Sequence, residues 1–455
     1  MDTLELNPPY IVFNINLTII TIDCLYGKIC PKKIVINYAR LKSERKIMIS
    51  KITLENFFSF GHPTTIELNP DINILVGING SGKSNFLKAI HLLKESVVGN
   101  GLETVFLKEW SGFNSVINFN KEEKDYIKLS FEFDKNVIKN VMQKGGYQFP
   151  NNPIYEIGIF PAGVTSYYLK EKLYSKSIQL DDNDFIYMEM DNAQGIISTR
   201  EGGKVGVQRY PQEHSQINFK STELVLRQIS DPDRFYPLFT LKSVLEELSV
   251  YYYFDTSING SIRQPSGYGT EKKLLPDGQN LMTILNNTKN NHPFNYDRIE
   301  EAIRKINPYF KDISFAVLGS KLYLVLREKY LSRSVSIEHI SDGTLHYLLL
   351  LSISFNPERG CLVCIDEPET SLHPDMINTI AKAMKQASNG AQLIIATHSP
   401  LLLNSFDIDD ILIFEKNNDN ETKVFIKSPD EFDEWTEDYL AGQAWLQGLI
   451  GGKRW

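Results

Sequence analysis

The sequence predicts an α/β fold, and three stretches predict it. GINGSGKS, Gly77 to Ser84, stands between a short apolar run and a helical pattern. CLVCIDEP, Cys361 to Pro368, is an apolar run ending in two carboxylates, and LIIATHSP, Leu393 to Pro400, is another ending in Thr397 and His398. Short apolar runs alternating with helical patterns read as the strands and crossover helices of a parallel sheet.

The first stretch fits G-x-x-x-x-G-K-[ST] at every fixed position. Ile72 to Val76 before it reads as a buried strand, and Ser84 to Lys94 after it as a helix with Phe86, Leu87, Ile90 and Leu93 on one face. In that setting Gly77, Asn79, Gly80, Ser81 and Gly82 belong to a loop whose backbone N–H groups wrap phosphates at the positive end of a helix. Lys83 then reaches the β- and γ-phosphates, and the Ser84 hydroxyl ligates Mg²⁺. The expected ligand is a nucleoside triphosphate.

The second stretch, the Walker B pattern, brings Asp366 to the same Mg²⁺. Glu367, one residue on, points elsewhere and is expected to polarise the water that attacks the γ-phosphate. A histidine at the C-terminal end of a strand in an open α/β sheet stands on the ligand crevice side. His398 is therefore expected to sense the γ-phosphate or orient the lytic water. Between the two runs lies a helix patterned by Met376, Ile377, Ile380 and Met384. A fourth piece, HISDGTLHYLLLL, places Ser341, Asp342 and Gly343 ahead of a nearly continuous leucine helix. Alone it reads as an N-cap; as an anion site, it offers Ser341 as hydroxyl donor.

Composition narrows the alternatives. A net charge of −8 over 455 residues argues against a uniformly basic nucleic-acid coat and leaves a local basic groove open. The longest apolar candidate for a membrane span, Ile11 to Ile22, is broken by Asn14 and Asn16, so a cytoplasmic protein without a membrane anchor is expected. Cys361 and Cys364 sit three apart on a strand, which sends their sulfurs to opposite faces and favours buried packing over chelation or a disulfide.

Along the chain, four segments are expected. Residues 1–47 are Asn/Ile-rich, carry two cysteines and the basic run Lys42 to Lys46, and differ in texture from the rest of the chain. Two readings stay open for them: a genuine N-terminal arm, or an upstream extension with translation starting at Met48. Residues 48–130 hold the P-loop half, opening with two alternating strands in which Ile52 and Leu54, and Ile66 and Leu68, share faces. Residues 131–330 read as an inserted α+β region, with strands at PIYEIGIF and DFIYMEM and helices at Leu241 to Leu248 and around Ile299, Ala302, Ile303 and Ile306. Its scattered basic residues, Arg200, Lys204, Arg209, Lys220 and Arg227, read as a solvated face rather than a nucleic-acid path. Residues 331–455 hold the second motif-rich half. No heptad pattern runs long enough for an extended coiled coil.

GxNGSGKS, SDGT, IDEPExxLHP and ATHSP, in this order, resemble the ABC-type heads of bacterial predicted ATPases of the AAA type, a group related to RecF and to the ATPase half of OLD-family proteins. Further similarity runs through ITLENFFSFG, LLPDGQNLMTIL and WTEDYLAGQAWLQGLIGG, covering most of the chain from Met48 onward. The resemblance implies a P-loop NTPase with an ABC-type head, a mixed sheet flanked by helices, carrying an inserted α+β region. It assigns Lys83 and Ser84 to phosphate and Mg²⁺, Asp366 to Mg²⁺, Glu367 to general base and His398 to switch histidine. It makes Ser341, with Gly343, a signature loop that completes the site of the opposite subunit. ATP and Mg²⁺ are then the cofactors, and a homodimer forms on ATP binding. The sequence departs from the pattern in three places. The signature reads ISDGT where transporters have LSGGQ, no glutamine marks a Q-loop, and His373 stands at the D-loop position. A Toprim nuclease is not expected after the last strands.

Two functions compete. The first is an ATP-driven machine acting on or near DNA in repair or phage defence. The second is a regulatory ATP switch that gates an operon-encoded effector without contacting DNA. A transporter subunit is disfavoured by the missing LSGGQ and by the long separation of P-loop and signature.

Overall fold

The computed structural model describes residues 48–119, 126–142, 145–163, 166–177, 183–201, 204–212, 217–267, 269–426 and 440–451. The two readings of residues 1–47 lie outside them. Along the chain, β1 (Ile49–Glu55) and β2 (Thr64–Glu67) precede β3 (Ile72–Val76) and α1 (Lys83–Val97). A run of strands comes next: β4 (Ile127–Phe133), β5 (Pro153–Ala162), β6 (Ser166–Ser175), β7 (Phe185–Asp191), β8 (Gln194–Glu201) and β9 (Lys204–Tyr210). Then come α2 (Tyr236–Leu245), β10 (Leu248–Tyr251), α3 (Leu281–Asn291), α4 (Pro293–Ile306) and a hairpin of Phe310–Leu318 with Lys321–Glu328. The last group is α5 (Asp342–Phe355), β11 (Leu362–Asp366), α6 (Pro374–Ala387), β12 (Gln392–Ala396), β13 (Ile411–Lys416) and β14 (Thr422–Phe425).

Two large sheets result. One is antiparallel, in the order β2-β1-β4-β5-β6-β7-β8-β9, and the other runs β10-β11-β12-β3-β13-β14. The second is parallel except for β14, which returns antiparallel on β13. Its inner strands β11, β12 and β3 are mostly apolar and buried because helices or the other sheet cover both faces. Alternate residues feed two cores. Leu75, Leu362, Cys364, Ile394 and Leu412 pack with α1 and the antiparallel sheet. Ile74, Val363, Ile365, Ile395 and Ile413 pack with α3, α4, α5 and α6. No helix among the described residues is long and apolar enough to cross a membrane.

Ile52 and Ile66 are paired across β1 and β2, and both are buried, as their alternation predicts. These two strands belong to the antiparallel sheet and not to the sheet that holds β3. Gln392 joins the two sheets. Its buried amide oxygen accepts from Met48 N (3.1 Å) and Ile49 N (3.0 Å), and its nitrogen donates to Ile49 O and Asn69 O (both 2.9 Å). The stretch 131–330 serves both sheets: β5 to β9 extend the antiparallel one, and β10 forms an edge of the parallel one.

The helix expected at Leu241 to Leu248 instead spans Tyr236–Leu245, and Leu248 opens β10. Pro237 in the first turn favours the earlier start. The run Leu248–Tyr251, buried at every position, pairs with β11 and carries no period that separates helix from strand. Cys364 is a fully buried thiol pushed well up by burial, while Cys361 lies just before β11 and is partly buried against the same core. Of the scattered basic residues, Arg227 donates to Gly99 O at 2.8 Å and faces Glu223, and Arg200 lies over the Tyr236 ring. Lys204, Arg209 and Lys220 are exposed.

Candidate nucleotide site

The loop Gly77 to Gly82 leaves the C-terminal end of β3 and runs into α1. Asn79 and Gly80 form its exposed tip, while Ser81 and Lys83 are buried. Ser81 N donates to Ile78 O at 3.1 Å, closing a tight turn. Gly82 caps the helix at φ 111, a left-handed conformation that side chains rarely adopt. A Cβ there would stand 2.2 Å from Thr422 Oγ1 and 2.8 Å from Ser59 Oγ. Thr422, at the start of β14, donates its hydroxyl to Ser81 O at 2.7 Å, and its backbone N donates to Ser59 O at 2.8 Å. The loop is thus braced from behind by a late hairpin. Gly82→Ala is expected to cost about 1–3 kcal/mol, from backbone strain and this crowding. Gly80, with positive φ but open space around it, supplies the control. Thermal melts of Gly82→Ala and Gly80→Ala should therefore differ, and equal losses would refute the bracing role of Thr422.

Lys83 turns its ammonium back onto the loop, donating to Gly77 O (2.8 Å) and Ile78 O (3.3 Å). Burial lowers its pKa, while Asp366, Glu367 and Glu369 act to raise it. Asp366 ends β11, beside the hydroxyl of Ser84. Burial raises its pKa, helped by Glu367 and Glu369, against the Ser84 hydrogen bond and Lys83. Its Oδ1 is buried with no hydrogen-bond partner. Three carboxylates thus stand against Lys83 with Lys88 nearby, and one carboxylate oxygen is desolvated and unmatched, an arrangement that favours a further cation. Among the described residues no group of three or more His, Cys, Asp or Glu side chains is arranged to hold a metal. The donors at hand, one carboxylate and one hydroxyl, suit Mg²⁺, which keeps waters and takes further oxygens from phosphates.

Glu367 stands in the left-handed region at φ 46, its N–H donating to Ala396 O at 2.8 Å. Its Oε1 lies 3.2 Å from His398 Nδ1, which follows the end of β12. Glu369, its side chain 7% exposed, accepts from Thr397 Oγ1 (2.6 Å) and His398 N (3.0 Å) with the same oxygen. The strand ends of β3, β11 and β12 thus bring together Lys83, Ser84, Asp366, Glu367 and His398, as their parallel pairing dictates.

Ser341 and Gly343 make their contacts elsewhere. Ser341 caps α5, its hydroxyl donating to Thr344 Oγ1 (2.8 Å) and accepting from Thr344 N (3.3 Å). Gly343 lies where a Cβ would meet Ser371 O at 2.6 Å. His373 caps α6.

Three residues around Asp366 escaped the sequence reading. Glu369 carried a signal, as the third acid of DEPE. Lys88, one turn beyond Ser84 on α1, lies 4.3 Å from the Phe58 ring centroid, its pKa lowered by burial and opposed by Asp366. Tyr252 has a buried hydroxyl without a hydrogen-bond partner, and Asp366 is among the charges that hold its pKa well up. Nothing local announces Tyr252: it is placed by the register of Tyr251 with Ile365 across β10 and β11.

A family model described as "AAA domain, putative AbiEii toxin, Type IV TA system" matches residues 72–190 and 211–404. The Retron Vc95 probable ATPase of Vibrio cholerae is 22% identical over 426 residues, 89% of this chain and 80% of that protein. The Retron Ec83 probable ATPase of Escherichia coli is 27% identical over 160 residues, 32% of this chain and 29% of its own length. Among solved structures, an SMC head bound to the C-winged helix domain of ScpA superposes with a TM-score of 0.51 at 15% identity, covering 84% of this chain and 99% of that one. The fold is that of a P-loop ATPase head of the ABC type, with helices flanking its sheets.

Proposed function

The chain belongs to that AAA-domain family, and from this premise we propose that it binds ATP with Mg²⁺ and hydrolyses it in a homodimer that sandwiches the nucleotides. One observation carries the proposal: the buried, unpartnered Oδ1 of Asp366 next to the Ser84 hydroxyl, at the end of the loop that holds Lys83. Ser84 and Asp366 hold Mg²⁺, which when bound neutralises charge on the β- and γ-phosphates. Gly77 to Ser84 cradle the phosphates, and Lys83 leaves its loop carbonyls for them. Glu367 takes a proton from the attacking water, and His398 keeps Glu367 oriented. The domain division at 48–130, 131–330 and 331–455 goes with this reading, as does kinship with RecF and with the ATPase half of OLD-family proteins.

One head surrounds the phosphates from one side only, where electrostatic stabilisation against water is weak. A second copy turned by a two-fold axis supplies Ser341 and Gly343 to the far side and gives two equivalent sites. Glu367→Gln with ATP and Mg²⁺ is therefore expected to run as a dimer in light scattering. Adding Ser341→Arg should abolish that association and leave nucleotide binding nearly intact. Equal association by the double variant would refute the trans role of Ser341.

We assign the dimer to work on or near DNA, in repair or phage defence, the latter supported by the toxin and toxin–antitoxin terms in the family's description. A second reading, an ATP switch gating a separate effector, draws on the charges of the antiparallel sheet. There Lys128, Lys170 and Lys172 are matched by Glu156, Asp191 and Glu189, which leaves little excess positive charge for a phosphate backbone. ATPase turnover with and without single-stranded, duplex and gapped DNA tests both. Strong stimulation by one form supports the DNA reading, and a flat response favours the switch.

A further inference from the structure

We propose that Arg263 is the positioning residue for the Ser341–Gly343 loop, and that it fastens this loop to the strand end beside the chain's own Asp366. The proposal rests on the reading of Ser341 as trans-acting.

Arg263 ends a single 3-10 turn, Ser261–Arg263, and is 4% exposed. Every guanidinium nitrogen is engaged. Nε donates to Thr256 O (2.8 Å) and Ser257 O (3.1 Å), Nη1 to Ile337 O (2.5 Å) and Ile340 O (2.9 Å), and Nη2 to Asp342 Oδ1 (2.6 Å). Ile337 and Ile340 bound the turn that leads into Ser341, and Asp342 follows it, so the donors bracket the serine from both sides. A buried guanidinium is tolerated only when its hydrogen bonds are met, and its planar fork meets them in one arrangement of the acceptors. The loop shape that aims Ser341 outward is thereby specified from beneath. The bonds of Ser341 are local, its side chain with Thr344 and its carbonyl accepting from Leu345 N, and do not fix its position relative to the rest of the head.

The other end of this link is equally defined. Tyr251, the last residue of β10, is in register with Ile365, the residue before Asp366. The segment from 252 to 263 runs from that strand end to Arg263, and Phe254 within it packs edge-on against His346 of α5 at 5.8 Å. His346 is held down to about 4 by burial, so it is neutral at ordinary pH and supplies packing rather than charge. A shift at the Asp366 end of β11 therefore reaches, through Arg263, the loop that serves the partner's nucleotide. One site of the dimer is thus linked to the other through this buried side chain, beside the approach of Gly343 to Ser371 and the packing of Phe254 on His346.

The test uses the full chain. Arg263→Lys keeps the charge and loses the fork. Its affinity for a fluorescent ATP analogue should stay within about twofold, while turnover should fall by about 10²-fold, the scale for misplacing a group by an ångström. Mixing then separates a trans defect from a folding defect. In a mixed dimer with Lys83→Ala, the nucleotide held by the Arg263→Lys head meets the intact signature loop of its partner, so turnover should return. Ser341→Arg mixed with Lys83→Ala is the control. Recovery in both mixtures supports the proposal. Recovery only in the Ser341→Arg mixture overturns it and leaves the trans reading standing, and recovery in neither overturns both. If Arg263→Lys lacks a cooperative melt, Asp342→Asn, at a side chain 61% exposed, goes through the same mixing with the same outcomes.

Discussion

Glu367→Gln should leave ATP and Mg²⁺ bound and slow hydrolysis by roughly 10²- to 10⁴-fold, the usual contribution of a positioned general base. On an energy scale that is about 2.7 to 5.5 kcal/mol of barrier. The substitution keeps size and shape. The backbone hydrogen bond from residue 367 to Ala396 O persists, and so does the left-handed conformation that turns the side chain toward His398. What is lost is a carboxylate able to accept a proton from water. Quenched-flow hydrolysis under single-turnover conditions, with bound nucleotide measured in parallel, separates chemistry from binding. A turnover number equal to that of the parent protein would remove Glu367 from the role of base.

Lys83→Ala should abolish detectable nucleotide binding. Asp366, Glu367 and Glu369 all act on this lysine electrostatically, and without it they present unbalanced negative charge to a triphosphate. Charge-assisted hydrogen bonds to phosphate are among the stronger ones available to a protein, and like charge in a partly desolvated site reverses the sign of the interaction. Titration calorimetry with ATP and Mg²⁺ gives the answer, with a thermal melt to show that the fold remains. Affinity within about tenfold of the parent would show that the backbone of the loop alone carries the phosphates.

The α/β class and its strand–loop–helix opening were legible because each rests on neighbours in sequence. Ile72 to Val76, the glycines and the helix face of Phe86, Leu87, Ile90 and Leu93 form one contiguous stretch. β11 and β12 were legible for the same reason, as apolar runs closed by charged or polar residues. Strand partnership was not, since β1 and β2 alternate in the same way whichever sheet they join. The end of α2 was misread because a buried parallel strand and a buried helical turn share one composition over four residues. The grouping of Lys83, Asp366, Glu367 and His398 could be foreseen from strand ends. The hold of Glu369 on Thr397 and His398, and of Arg263 on the turn before Ser341, could not. Those contacts join residues 28, 29 and 77 positions apart, and no local period encodes them.

The brace behind the phosphate loop also orders events during synthesis. Thr422, which bonds Ser81 O, lies 341 residues later in the chain. The two strands that flank β3, β12 and β13, are made almost as late. A nascent chain that already displays GINGSGKS therefore has neither the neighbours of its central strand nor the support of its loop. Such separated pairings form slowly and only after the intervening loops close. Nucleotide is therefore expected to engage this loop only after the hairpin of β13 and β14 has been made.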